Sequence, residues 1–96
     1  MRNQFEQSLA DVLKQLTNQP KLKKPLYLSK VQSSWETLMG KSIAVYTKEI
    51  RIQRNTLYLT IESASLRNEL SLNKEKIINL INEELGEPYI HAVVVS

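Results

Sequence analysis

The chain has 96 residues, 42% of them hydrophobic and 24% charged, which suits one globular domain and not a disordered tail. It holds no cysteine, which excludes disulfides, thiolate metal sites and a cysteine nucleophile. The net charge of +3 is unevenly spread: residues 21–54 carry eight basic and two acidic side chains, residues 55–96 three basic and six acidic.

In chain order, Phe5, Leu9, Val12, Leu13 and Leu16 fall on one face of an amphipathic helix, predicted over Asn3 to Leu16. It fades into Thr17-Asn18-Gln19-Pro20, and Lys21 to Pro25 reads as a short basic connector. A second helix is predicted to begin just after Pro25, with Leu28, Val31, Trp35 and Leu38 at three- and four-residue spacing and Gly40 as a left-handed stop. Ile43, Val45 and Thr47 then alternate with Ala44, Tyr46 and Lys48, which predicts a strand. Ile50 and Ile52 fall on the opposite phase, so a bulge is expected near Lys48-Glu49.

Arg54-Asn55 reads as a hairpin tip, since asparagine tolerates positive φ. In the next strand Leu57, Leu59 and Ile61 point one way, Tyr58, Thr60 and Glu62 the other. Ser63 and Ser65 are candidate caps for a short helix carrying Leu66 and Leu70. A longer helix follows on Ile77, Ile78, Ile81 and Leu85, stopped by Gly86 and Pro88. The run YIHAVVVS, Tyr89 to Ser96, is rich in β-branched residues and predicts a last strand. From the second helix onward the order is α-β-β-α-α-β, an α+β fold of the type II KH-like order, with a three-stranded sheet packed against helices.

Chemistry is sparse. His91 is the only histidine, so a histidine metal cluster cannot be built. No serine has a G-x-S-x-G context, and two glycines cannot make a phosphate-cradling loop of the P-loop or dinucleotide type. These features predict a protein that is not an enzyme and uses no cofactor, metal or small-molecule substrate. The start of the chain lacks the apolar run and small-residue cleavage site of a signal peptide, and no stretch nears the ~20 apolar residues of a membrane span, so a cytoplasmic protein is expected. A KH domain that grips nucleic acid carries a GXXG loop between two helices; here that place reads Ser71-Leu72-Asn73-Lys74. Binding should therefore lean on electrostatics more than on base reading. Trp35 is expected in the core, with an exposed partner anchor or stacking surface as the alternative. Tyr46 and Tyr58 are candidates for base stacking on a half-exposed sheet face.

Several motifs together carry a family resemblance. Trp35-Glu36 to Gly40 followed by K-S-I-A-V-Y-T, the hairpin N-T-L-Y-L-T-I-E-S with S-L-R-N-E-L, and the ending K-I-I-N-L-I-N-E-E-L-G resemble the DciA-like family of bacterial proteins over about Leu26 to Val95. With the residue pattern before it, the chain is expected to divide into an N-terminal amphipathic helix (1–20), a basic connector (21–25) and a KH-like DciA-type domain (26–96). It implies a DNA-replication accessory protein that binds the DnaB-type replicative helicase and nucleic acid, single-stranded or duplex DNA or RNA, and assists helicase loading without being an ATPase. Candidate phosphate contacts are Lys21, Lys23, Lys24, Lys41, Arg51, Arg54, Arg67, Lys74 and Lys76. The helix over Asn3 to Leu16 is a candidate partner-docking element, or else a cover for the sheet or for the helix of Trp35. A general RNA-binding module on the same fold is the second reading, and a purely structural interaction protein with solvated lysines the third.

Overall fold

The computed structural model describes residues 20–96, with side chains from Leu22 onward. The expected helix over Asn3 to Leu16 lies outside the described residues. The elements are α1 (Pro20–Met39), α2 (Lys41–Tyr46), β1 (Thr47–Gln53), β2 (Thr56–Ile61), α3 (Ala64–Leu72), α4 (Lys74–Leu85) and β3 (Ala92–Val95). The α+β class and the α-β-β-α-α-β order expected of a KH-like domain are present, with the short α2 inserted after the first helix.

The sheet has the order β1-β2-β3, with β2 central, antiparallel to β1 and parallel to β3. Alternation decides its two faces. Leu57, Leu59 and Ile61 of β2 are buried, and the residues opposite them, Ile50 and Ile52 on β1 and Val93 and Val95 on β3, share their face. Helices close that face with residues four apart on one side of each: Tyr27, Val31 and Trp35 from α1, Ile77, Ile81 and Leu85 from α4. Leu70 of α3 completes the core. Trp35 is 3% exposed, which excludes the exposed-anchor alternative.

Two expectations are corrected. α1 begins at Pro20, not after Pro25, so Lys21 to Pro25 is helical and not a connector. Proline inside a helix removes a hydrogen bond, but here tertiary contacts hold the early turns. Tyr27 is buried, its ring meets Tyr89 edge-on at 4.7 Å, and Lys23 pairs with Glu87 at 2.9 Å. The second correction concerns Ile43 to Tyr46, which lie in α2 and not in a strand. The half-buried positions Ile43, Ala44 and Thr47 follow helical spacing. The slip in parity is the change of period at Thr47, and the bulge does fall where expected: Thr47 pairs with Ile61 and Glu49 with Thr60, leaving Lys48 over.

Local chemistry fixes the joints. Gly40 has φ +94 and ψ 159, a region reserved for glycine but outside the left-handed helical basin, and it turns α1 directly into α2. Arg54 and Asn55 both have positive φ, giving a two-residue hairpin turn. Ser63 caps α3 through a bond from the Leu66 backbone N–H at 3.3 Å. The Asn82 side chain both donates to the carbonyl of Ile90 (2.9 Å) and accepts from its N–H (2.8 Å), tying the end of α4 to the approach to β3.

Candidate nucleic-acid interface

The face of the sheet away from the helices' core is built by the alternate residues. Its middle row runs Arg51, Tyr58, Val94 across the three strands. Arg51 and Val94 are exposed and Tyr58 is half-buried. The Arg51 guanidinium sits 5.5 Å from the centre of the Tyr58 ring, a cation–π arrangement that fixes both side chains. Arg51 also meets Glu49 at 3.3 Å, but both are well exposed, so that pair holds the arginine only weakly.

Arg54 stands at the hairpin tip, exposed. Lys24 reaches the same end from α1: with Leu28, Arg51, Ile52 and Gln53 it lines a hollow of about 300 Å³. The fold thus brings three of the expected cations, Lys24, Arg51 and Arg54, to the hairpin end of the sheet, and of these Arg51 lies against an aromatic ring.

The other expected contacts are not gathered there. Lys23 is held by Glu87 and lies 5.8 Å from the ring centres of both Tyr27 and Tyr89, so it serves the clamp on α1. Arg67 is half-buried, and its Nη1 donates to the carbonyl of Ile61 at 2.6 Å, fastening α3 to the end of β2. Lys41 is exposed at the start of α2. Lys74 and Lys76 are exposed at the start of α4, while the segment after α4 joins the hairpin tip, where His91 N–H donates to the Asn55 carbonyl at 2.8 Å. At 1.5 Å rise per residue, the start of α4 lies about 16 Å along the helix from its end. The side chain of Lys21 lies outside the described residues.

Tyr46 is also separated from Tyr58. It closes α2, and its carbonyl accepts from the Glu62 N–H at the far end of β2. The expected pair of stacking tyrosines is reduced to Tyr58 with Arg51. That pairing was visible in sequence only through hairpin register, since Arg51 and Tyr58 are symmetric about the Arg54-Asn55 turn.

Among the described residues two groups are shifted in acidity, both in the clamp. Burial and the hydrogen bond donated to Glu87 push the Tyr27 hydroxyl up to about 12. The Tyr27 hydroxyl and the Lys23 ammonium together hold the Glu87 carboxyl below its ordinary value. Among the described residues there is no group of three or more histidine, aspartate or glutamate side chains placed to hold a metal ion. No described helix is long and apolar enough to cross a membrane.

A family model described as Dna[CI] antecedent, DciA, matches residues 8–95. The chain belongs to the DciA family. No curated protein and no solved structure matched it. In this DciA family member the place of the KH loop is a single residue: α3 ends at Leu72, α4 starts at Lys74, and only Asn73 stands between. The Asn73 side chain donates back to the Glu69 carbonyl at 2.8 Å. No loop remains to wrap a phosphate, although Lys74 and Lys76 stand exposed just beyond Asn73.

Proposed function

We propose that this DciA family member is a non-enzymatic, cytoplasmic replication accessory protein that binds a DnaB-type helicase and single-stranded DNA and assists in placing the helicase on the strand. The family match over residues 8–95 carries this reading, since the family is one of helicase loaders. Support for the DNA half comes from the hairpin end, where Arg51 lies against the Tyr58 ring and Lys24 and Arg54 add positive charge nearby. Cations there neutralise phosphates and the ring offers a stacking surface that every base can use. One protein surface then tracks the strand while another holds the helicase.

The deciding experiment is co-elution of the purified protein with the replicative helicase of the same organism, with and without single-stranded DNA. A shared peak at micromolar concentration supports the reading. Separate peaks under both conditions overturn it, and a preference for structured RNA without helicase contact replaces it with a general RNA-binding role.

A further inference from the structure

We infer that the short helix α2 is the contact surface of a weak symmetric dimer, in which it packs antiparallel against α2 of a second copy. This goes beyond the replication role and does not rest on it.

α2 stands outside the α-β-β-α-α-β order, and none of its residues is buried. Ile43 and Ala44 lean on the core, while Lys41, Ser42, Val45 and Tyr46 are exposed. Those four make one face of the helix, because residues four apart stack on the same side. Val45 is 69% exposed and Tyr46 48%; nowhere else among the described residues do two exposed large apolar side chains adjoin in the chain. The chain enters α2 through Gly40, whose φ of +94 side-chain-bearing residues rarely adopt. A Cβ there would meet nothing within 4 Å, so the glycine serves the turn alone. A turn suited to glycine thus leads into a helix that gives little to the core and shows its apolar residues to solvent.

This face is complementary to itself. Antiparallel packing about a two-fold axis sets Lys41 against Tyr46 and Ser42 against Val45, each twice. Val45 then fills the space left by the small Ser42. The Lys41 stem lies along the Tyr46 ring, with its ammonium in cation–π reach. The charges agree. The Glu62 N–H donates to the Tyr46 carbonyl at 2.8 Å, so Glu62 stands at the C-terminal end of α2, opposite Lys41 of the second copy. Both side chains are exposed, and neither has an ion-pair partner among the described residues. Two Lys41–Glu62 pairs therefore close the two ends of the contact. A partner of one sign, such as a nucleic acid or an acidic peptide, would satisfy Lys41 and be repelled by Glu62.

The contact is small beside the roughly 800 Å² per partner of a standard interface, so association belongs to high micromolar concentrations. It lies at the opposite end of β2 from the Arg54-Asn55 turn, and the hairpin ends of both copies stay free.

The test is sedimentation velocity on the full chain from about 10 μM to about 1 mM. The parent should pass from monomer toward dimer across that range. Val45→Asp should stay monomeric, with its circular dichroism and melting unchanged because the site is exposed. Lys41→Glu and Glu62→Lys each set like charges together in the dimer and should weaken it about fivefold to tenfold. Mixed one to one, these two variants meet opposite charges at both ends and should associate as the parent does. A parent that is monomeric throughout overturns the proposal and leaves the ridge to the chain's own first residues or to another protein. A dimer indifferent to Val45→Asp, or a mixture no tighter than the single variants, overturns it too.

Discussion

The indole N–H of Trp35 donates to the hydroxyl of Thr47 at 2.9 Å, and that hydroxyl donates onward to the carbonyl of Ile43 at 2.7 Å. Three elements meet in this relay, because Trp35 belongs to α1, Ile43 to α2, and Thr47 opens β1. It satisfies a buried donor at the point where helix becomes strand. Thr47→Val leaves the indole N–H without its partner and should destabilise the fold by about 1–3 kcal/mol. Trp35→Phe should cost about as much, and Trp35→Ala about 3–5 kcal/mol through the cavity left behind. Urea unfolding followed by circular dichroism measures all three; a Thr47→Val protein as stable as the parent would show that the relay contributes nothing.

The clamp of Tyr27, Glu87 and Lys23 predicts a pH dependence at the alkaline end. Tyr27 titrates at about 12 in the folded chain against about 10 unfolded, so its contribution is present below pH 10 and is lost as pH rises between 10 and 12. Glu87 is lowered, so its contribution is present above the ordinary carboxylate range and is lost as pH falls through its folded value. Tyr27→Phe should abolish the alkaline fall and cost about 1 kcal/mol at neutral pH. Melting temperatures from pH 7 to 12 in the two proteins check it, and an identical alkaline fall in both would contradict it.

At the hairpin tip stability and binding should separate. Arg54 has φ +53, a conformation that costs a residue with a Cβ roughly 1 kcal/mol or more, so Arg54→Gly should stabilise the hairpin by several tenths of a kcal/mol or more while weakening DNA binding. Asn55→Ala should destabilise by about 1–2 kcal/mol, since it keeps the strained φ and loses the side-chain bond to the Tyr89 carbonyl at 2.8 Å. Thermal melts and anisotropy on the same preparations separate the two effects.

For single-stranded DNA, Lys24→Ala, Arg51→Ala and Arg54→Ala should each weaken binding and each reduce the slope of log affinity against log salt by about one. Tyr58→Ala should lose about 1–3 kcal/mol of stacking with little change in that slope. Lys23→Ala and Arg67→Ala should lower stability and leave DNA affinity nearly unchanged, because both cations are spent inside the fold. An unchanged affinity in the first three variants would move the interface away from the hairpin.

These contrasts mark what the sequence made legible. The strict alternation of β2, the Arg54-Asn55 turn, the Ser63 cap and the Gly86 stop are local chemistry, and each lies where the residues predict. The start of α1 was hidden because proline and lysines read as a break, while the contacts that keep Pro25 helical come from Glu87 and Tyr89 far along the chain. α2 was hidden because six residues are too few to tell a period of two from one of 3.6. Among the candidate cations, charge alone could not tell Lys24 from its neighbour Lys23, or Arg51 from Arg67. Only packing shows which of them face solvent and which already have a partner.

The parallel pairing of β2 with β3 bears on the order of folding. The β1–β2 hairpin closes over two residues, a contact that forms in microseconds in isolated hairpins, whereas β3 can join β2 only after α3 and α4 have bridged the length of the sheet. Topology makes the docking of β3 the expected late event, with Asn82 holding Ile90 from both sides once it has docked. Until β3 docks, β2 offers a second edge, and a nascent or heated chain exposes both flanks of its central hairpin to its neighbours. The Asn82 amide thus works with the β2–β3 ladder and the buried Ile90 and Val93 to keep that second edge covered.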